Sequence, residues 1–194
     1  AHLDPPPLLF SILGDLIAAA LNNNLLAYEL SPSITRLEES LINWFSKRIG
    51  FKNCSGGIVA SGGTLSNLNA LITARHNSGL GSDPNAVLLV SEDAHSSFKK
   101  CIRIMGLHDN NLIKIPTNTE GCMDLNNLSE TVKNCIIKNK KIFSIVATLG
   151  TTIRGSIDPI KGISDICRDN NIWLHIDGSI GGIYAITSIC IEGL

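Results

Sequence analysis

Four short apolar runs, at residues 86–90, 112–115, 142–148 and 172–177, are separated by stretches whose apolar residues recur at helical spacing. Phe98, Cys101, Ile102 and Met105 fill the first gap. Leu125, Leu128, Val132 and Ile136 fill the second, and Ile160, Ile163, Ile166 and Cys167 the third. Strands and helices alternating at this pace make βαβ units, in which each helix returns the chain across the sheet and successive strands run parallel. The predicted fold is therefore α/β, a mainly parallel sheet with helices on both faces. The run 172–177 is rich in β-branched and aromatic residues and reads as a strand covered on both faces. A further short run, 58–60, leads into Ser61-Gly62-Gly63-Thr64 and reads as a strand ahead of a helix carrying Leu68, Leu71 and Ile72.

Residues 1–50 read as a separate N-terminal helical segment and 51–194 as the sheet domain. Pro5-Pro6-Pro7 is an extended entry. Leu9, Ile12, Leu13, Leu16, Ile17, Ala20 and Leu21 then predict a packed helix that Asn22-Asn23-Asn24 ends. Ser31-Pro32 supplies a cap and a first-turn proline for a second helix, whose apolar face is Ile34, Leu37, Leu41, Trp44 and Phe45 and whose end is Gly50.

Composition excludes several partners. The formal net charge is −1 and no basic stripe is interleaved with aromatics, which argues against nucleic acid. No apolar run reaches the ~18–20 residues of a membrane span. The six cysteines are scattered without a C-x-x-C pair. They read as reduced packing residues of a cytoplasmic protein, not as a disulfide frame or a zinc site.

Several polar residues fall where predicted strands end, the edge at which open α/β sheets collect ligands. Asp177 closes the run 172–177 and is followed by Gly178, Ser179, Gly181 and Gly182. It is either a ligand-facing carboxylate or the cap of a following helix. Gly62-Gly63-Thr64 is either a phosphate cup at a helix N-terminus or a tight helix entry without a ligand. It lacks the lysine of a Walker loop. His95 follows the strand 86–90, as a surface imidazole or as a ring that stacks on a planar ligand. Thr148, Thr151 and Thr152 offer hydroxyls at the same edge, or form a plain polar loop. His175 and Asp177 share a strand face, but no further histidine–carboxylate cluster supports a metal. A phosphorylated aromatic cofactor with a ring nitrogen needs a phosphate cup, a stacking ring, hydroxyls and a carboxylate together.

These residues also carry a resemblance. Ser31-Pro32 with Leu37-Glu38, Ser61-Gly62-Gly63-Thr64-Leu65-Ser66-Asn67, Ala94-His95-Ser96-Ser97, Val146-Ala147-Thr148-Leu149-Gly150-Thr151-Thr152, Ile157-Asp158-Pro159 and Trp173-Leu174-His175-Ile176-Asp177 occur in the order seen in group II pyridoxal-phosphate-dependent amino acid decarboxylases. The chain is similar to that family, which includes glutamate, aromatic amino acid and 2,4-diaminobutyrate decarboxylases. The resemblance implies the fold type I large domain, incomplete here, with pyridoxal 5'-phosphate as cofactor and an amino acid as substrate. It implies that Gly63 and Thr64 hold the phosphate, that His95 stacks on the pyridine ring, that Thr152 contacts the cofactor and that Asp177 pairs with its nitrogen. It places Ser179 beside the ring, where the family usually has alanine. It also implies a homodimer with the N-terminal helices across its interface.

The family's Schiff-base lysine lies in a segment downstream of the aspartate. The chain ends at Glu192-Gly193-Leu194, and Lys161 does not match that motif. The expectation is a fragment inactive by itself. A related lyase or aminotransferase reaction, or a catalytically silent chain, are the alternatives.

Overall fold

The computed structural model describes residues 6–51 and 55–187. The chain divides into two compact units, Ala1–Val59 and Ala60–Leu194. The first holds helices α1 (Leu9–Leu21) and α2 (Pro32–Ile49). Asn22 closes α1 in the left-handed conformation, and Gly50 closes α2 at φ +86°. Ser31 stands at the N-cap of α2 with Pro32 behind it, but its hydroxyl donates to Asn23 Oδ1 at 3.0 Å and caps nothing. The first helix, expected to pack, is not covered within the single chain. No residue of α1 is buried, and Leu9 and Leu16 are 68% and 65% exposed.

The second unit runs α3 (Gly63–Asn77), β1 (Ala86–Ser91), α4 (Ser97–Ile104), β2 (Leu112–Ile115), α5 (Leu125–Ile137), β3 (Lys141–Thr148), α6 (Ile160–Asp169) and β4 (Trp173–Asp177). The strands form one parallel sheet in the order β2-β1-β3-β4. All six residues of β1 are buried, because helices cover both of its faces. Leu88 and Val90 pack in a cluster with Leu71, Phe98 and Ile102 of α3 and α4. Val87 and Leu89, on the other face, pack with Leu128, Val132 and Ile163 of α5 and α6. This is the period-two alternation of a strand buried on both sides. The register breaks once: Val87 pairs with Ile142 but Leu88 pairs with Ser144. Phe143 is the extra residue, and it joins the α3–α4 cluster while Ile145 and Ala147 join the other.

Two further expectations change. Residues 58–60 form no strand, so α3 is entered from extended chain. The strand at 173–177 is not covered on both faces: Trp173 and Ile176 are 39% and 40% exposed. β4 lies at the edge of the described sheet, so its apolar residues lack a neighbour on one side. Among the described residues, no helix is long and apolar enough to cross a membrane.

Asp158 fastens the carboxyl end of β3. It is 1% exposed, and its two oxygens accept from Met123 N at 2.7 Å and Thr148 N at 2.8 Å. Burial pushes its carboxyl above the usual carboxylate range, against the pull of those two bonds. Removing it strands two buried N–H donors. Asp158→Ala is expected to cost about 3 kcal/mol of stability, read as a lower midpoint in urea unfolding.

Candidate cofactor site

The site is built at the carboxyl ends of β3 and β4. Thr148 and Asp177 are register partners, and Leu149 N donates to the Asp177 carbonyl at 2.9 Å. The loops after the two strands therefore leave the sheet together. Gly181 N donates to Leu149 O at 2.8 Å, and a Cβ on Gly181 would sit 2.5 Å from that oxygen, so only glycine fits the crossing.

Asp177 is 5% exposed. Its Oδ1 accepts from Ser179 Oγ at 2.6 Å and from Ser179 N at 3.1 Å, an Asx-type turn. Its Oδ2 accepts from Asn67 Nδ2 at 3.2 Å. It caps no helix, since the 3-10 turn that follows, Gly181–Ile186, begins after Ile180. Two carboxylate oxygens offer about four acceptor positions and three are used, which leaves a lone pair on Oδ2.

The first turn of α3 stands beside this carboxylate. Leu65 N and Ser66 N both close on the Gly62 carbonyl, so the N–H groups of Gly63 and Thr64 project from the helix N-terminus. A Cβ on Gly63 would lie 2.8 Å from Ser179 Oγ. Gly63, Ser179 and Asp177 are thus brought together. The Thr64 carbonyl lies 3.9 Å from the buried Cys101 thiol.

His95 sits in the turn between β1 and α4, exposed, with Nδ1 accepting from Ser97 N at 3.2 Å. Among the described residues, that is the hydrogen bond its ring makes. His95 and Thr152 line one cavity of about 460 Å³, together with Asp93, Lys99 and Lys114. Asp177 and Gly63 do not line it. The two groups are connected through Asn67, whose Nδ2 also donates to Ser97 Oγ at 3.3 Å.

Sequence reasoning attaches no role to Asn67 and weighs His175 only as a metal ligand on the strand face it shares with Asp177. Asn67 is 4% exposed, one turn beyond Gly63 on the buried side of α3 that also carries Leu71 and Ala74. A lone amide on an apolar helix face was the available signal. His175 Nε2 lies 2.9 Å from Asn67 Oδ1, and its ring meets Phe98 edge-on at 6.1 Å. Burial lowers the imidazole's proton affinity below its usual value, opposed by the Asp177 charge. No group of three or more histidine, cysteine or acidic side chains that could hold a metal occurs among the described residues.

An anion-binding helix start, an acceptor-only carboxylate with a spare lone pair, and an exposed imidazole fit a phosphorylated aromatic molecule bearing a ring N–H. The close approach of Gly63 to Ser179 has a direct test. Gly63→Ala is expected to drive the Ser179 hydroxyl off Asp177 and lower Tm, and Ser179→Ala in the same chain is expected to recover most of the loss.

Known proteins resemble this chain over most of its length. A family model described as the pyridoxal-dependent decarboxylase conserved domain matches residues 7–190. The glutamate decarboxylase of Drosophila melanogaster is 33% identical over 184 residues, covering 90% of this chain and 36% of that protein. The aromatic-L-amino-acid decarboxylase of Bacillus atrophaeus is 30% identical over 170 residues, covering 88% and 35%. The solved glutamate decarboxylase domain of a diaminobutyrate-pyruvate transaminase and L-2,4-diaminobutyrate decarboxylase from Vibrio parahaemolyticus superposes with a TM-score of 0.92 at 28% identity, covering 97% of this chain and 44% of that one. The chain spans a little over one third of the length of those two curated relatives. With a family model matching residues 7–190, the chain belongs to the pyridoxal-dependent decarboxylase family.

Proposed function

We propose that the full-length protein removes the α-carboxylate of an L-amino acid with the help of pyridoxal 5'-phosphate. The observation that carries this reading is the Asp177 carboxylate, buried at the end of β4 and held by the Ser179 hydroxyl at 2.6 Å with a lone pair to spare. When bound, the cofactor's protonated pyridine ring accepts the electron pair left as the bond from Cα to the carboxylate breaks.

The residues of this chain bind and orient. The N–H groups of Gly63 and Thr64, at the positive end of the α3 dipole, take the phosphate. The His95 ring stacks on the pyridine, and Thr152, on the same cavity wall, contacts the cofactor. Asp177 holds the proton on the ring nitrogen through charge. Ser179 fixes the carboxylate in place. In the full-length protein Asp177→Ala is expected to lose nearly all carbon dioxide release, on the order of a hundredfold or more, while Asp177→Glu keeps a measurable part. Near-normal turnover by the Ala variant contradicts the reading.

We also propose that the protein is a cytoplasmic homodimer joined through its N-terminal helices. The apolar side chains of α1 are exposed within its own unit, as an interface helix would be before pairing. The four described cysteines are free thiols, as suits a reducing compartment. Sedimentation velocity at micromolar concentration is expected to give a dimer, and Leu16→Glu in α1 is expected to shift it towards monomer.

A further inference from the structure

The bonds around Asn67 have a direction that can be derived. An ionised carboxylate only accepts, so the Asn67 atom 3.2 Å from Asp177 Oδ2 is the amide nitrogen. The Asn67 oxygen is then the atom 2.9 Å from His175 Nε2, and an amide oxygen only accepts. Nε2 must carry the proton. Because burial keeps the imidazole neutral at pH 7, His175 is the tautomer with a bare Nδ1. Ser97 Oγ is the second acceptor for the amide NH2, so both amide protons are engaged and the group has no freedom to flip.

We propose that His175 is a positioning residue, which aims the Asp177 carboxylate through the Asn67 amide. This rests on the cofactor reading above. Ser179 grips Oδ1 from one side, and Asn67 grips Oδ2 from the other. Without Asn67 the carboxylate is held through Oδ1 alone, and the angle of its plane is no longer fixed from the α3 side. His175 is two residues before Asp177 on β4 and its side chain faces α3, so the strand and the helix are clamped by the same three groups. Phe98 of α4 packs its ring edge-on against the imidazole. The nearby Asp177 charge favours its protonated form, against the larger effect of burial.

The test uses the full-length protein with histidine labelled in nitrogen-15, and pyridoxal 5'-phosphate as the probe. In the cofactor-free protein at neutral pH, the nitrogen spectrum of His175 is expected to show a protonated Nε2 and a bare Nδ1. A proton on Nδ1, or an imidazolium, overturns the proposal. Binding of the probe is then followed by absorbance. Asn67→Leu, which removes one hydrogen bond to a charged group, and His175→Leu, which releases the amide that makes it, are each expected to weaken binding roughly tenfold. The double variant is expected to lose no more than either single one, since both cut the same chain. His175→Gln keeps a donor near the Nε2 position and is expected to bind within about threefold of the unaltered protein. Additive losses, or a Gln variant as weak as the Leu variant, overturn the relay. Asp177→Ala separates the two levels: if it binds the probe normally, the cofactor reading itself fails and the relay falls with it. If it binds weakly while His175→Leu binds normally, only the relay fails. Should the Leu variants not fold, the nitrogen spectrum of the unaltered protein still decides.

Discussion

The parallel pairing of β1, β3 and β4 is the constraint on which everything else depends. Parallel strands joined by helical crossovers end on the same side of the sheet, so the chain delivers Ser91, Thr148 and Asp177 to one edge at separations set by hydrogen bonding. A buried carboxylate is costly unless its acceptors are filled. The edge supplies them from two directions, from its own turn at Ser179 and from α3 at Asn67. That second contact makes the α3 start part of the site. Arg75, at the last turn of the same helix, donates to the carbonyls of Leu80, Asp83 and Met105, so the helix is fastened at both ends.

Much of this was legible in the residues. The helical spacing of Ile160, Ile163, Ile166 and Cys167, and the strand pattern of 86–90 and 142–148, predicted helices and strands that the structure contains at nearly the same bounds. Asp124, just ahead of Leu125 and Leu128, has the residue type and place of a helix cap, and its carboxylate accepts from Asn127 N at 2.8 Å. The strand-end position of Asp177 also follows from pattern alone. The errors have a common cause. Residues 58–60 and 172–177 are apolar, and apolar character was read as burial within a sheet. Pairing partners decide that, and they are remote in sequence. Ile58 and Val59 pair with no strand among the described residues, and in the described sheet Trp173 and Ile176 have a neighbouring strand on a single side.

The site divides in the same way. Gly63 and Ser179 are each readable as small residues near a ligand, but the closeness that would set a Cβ on Gly63 2.8 Å from Ser179 Oγ joins positions 116 residues apart (179 − 63), which no local pattern encodes. Asn67 and His175 are 108 residues apart and equally hidden, although a polar residue on the apolar face of α3 was a visible anomaly. Asp158 stood in a quoted motif with no role attached. Its two bonds to Met123 and Thr148 show it to be a structural clasp, one that holds β3 at the level where the site begins.

The extra residue in β3 has a consequence for how this domain tolerates changes in length. Phe143 separates the strand into an outer part, which pairs through Lys141 and Ile142, and an inner part, Ser144 to Thr148, locked to β4 over five consecutive partners. A deletion or insertion in the turn that follows α5 can be absorbed at this dislocation by moving one residue into or out of the bulge. The inner part would keep its alternation, with Ile145 and Ala147 still on one face and Val146 on the other. The far end of the sheet is in this sense mechanically insulated from the edge that carries Thr148 and Asp177.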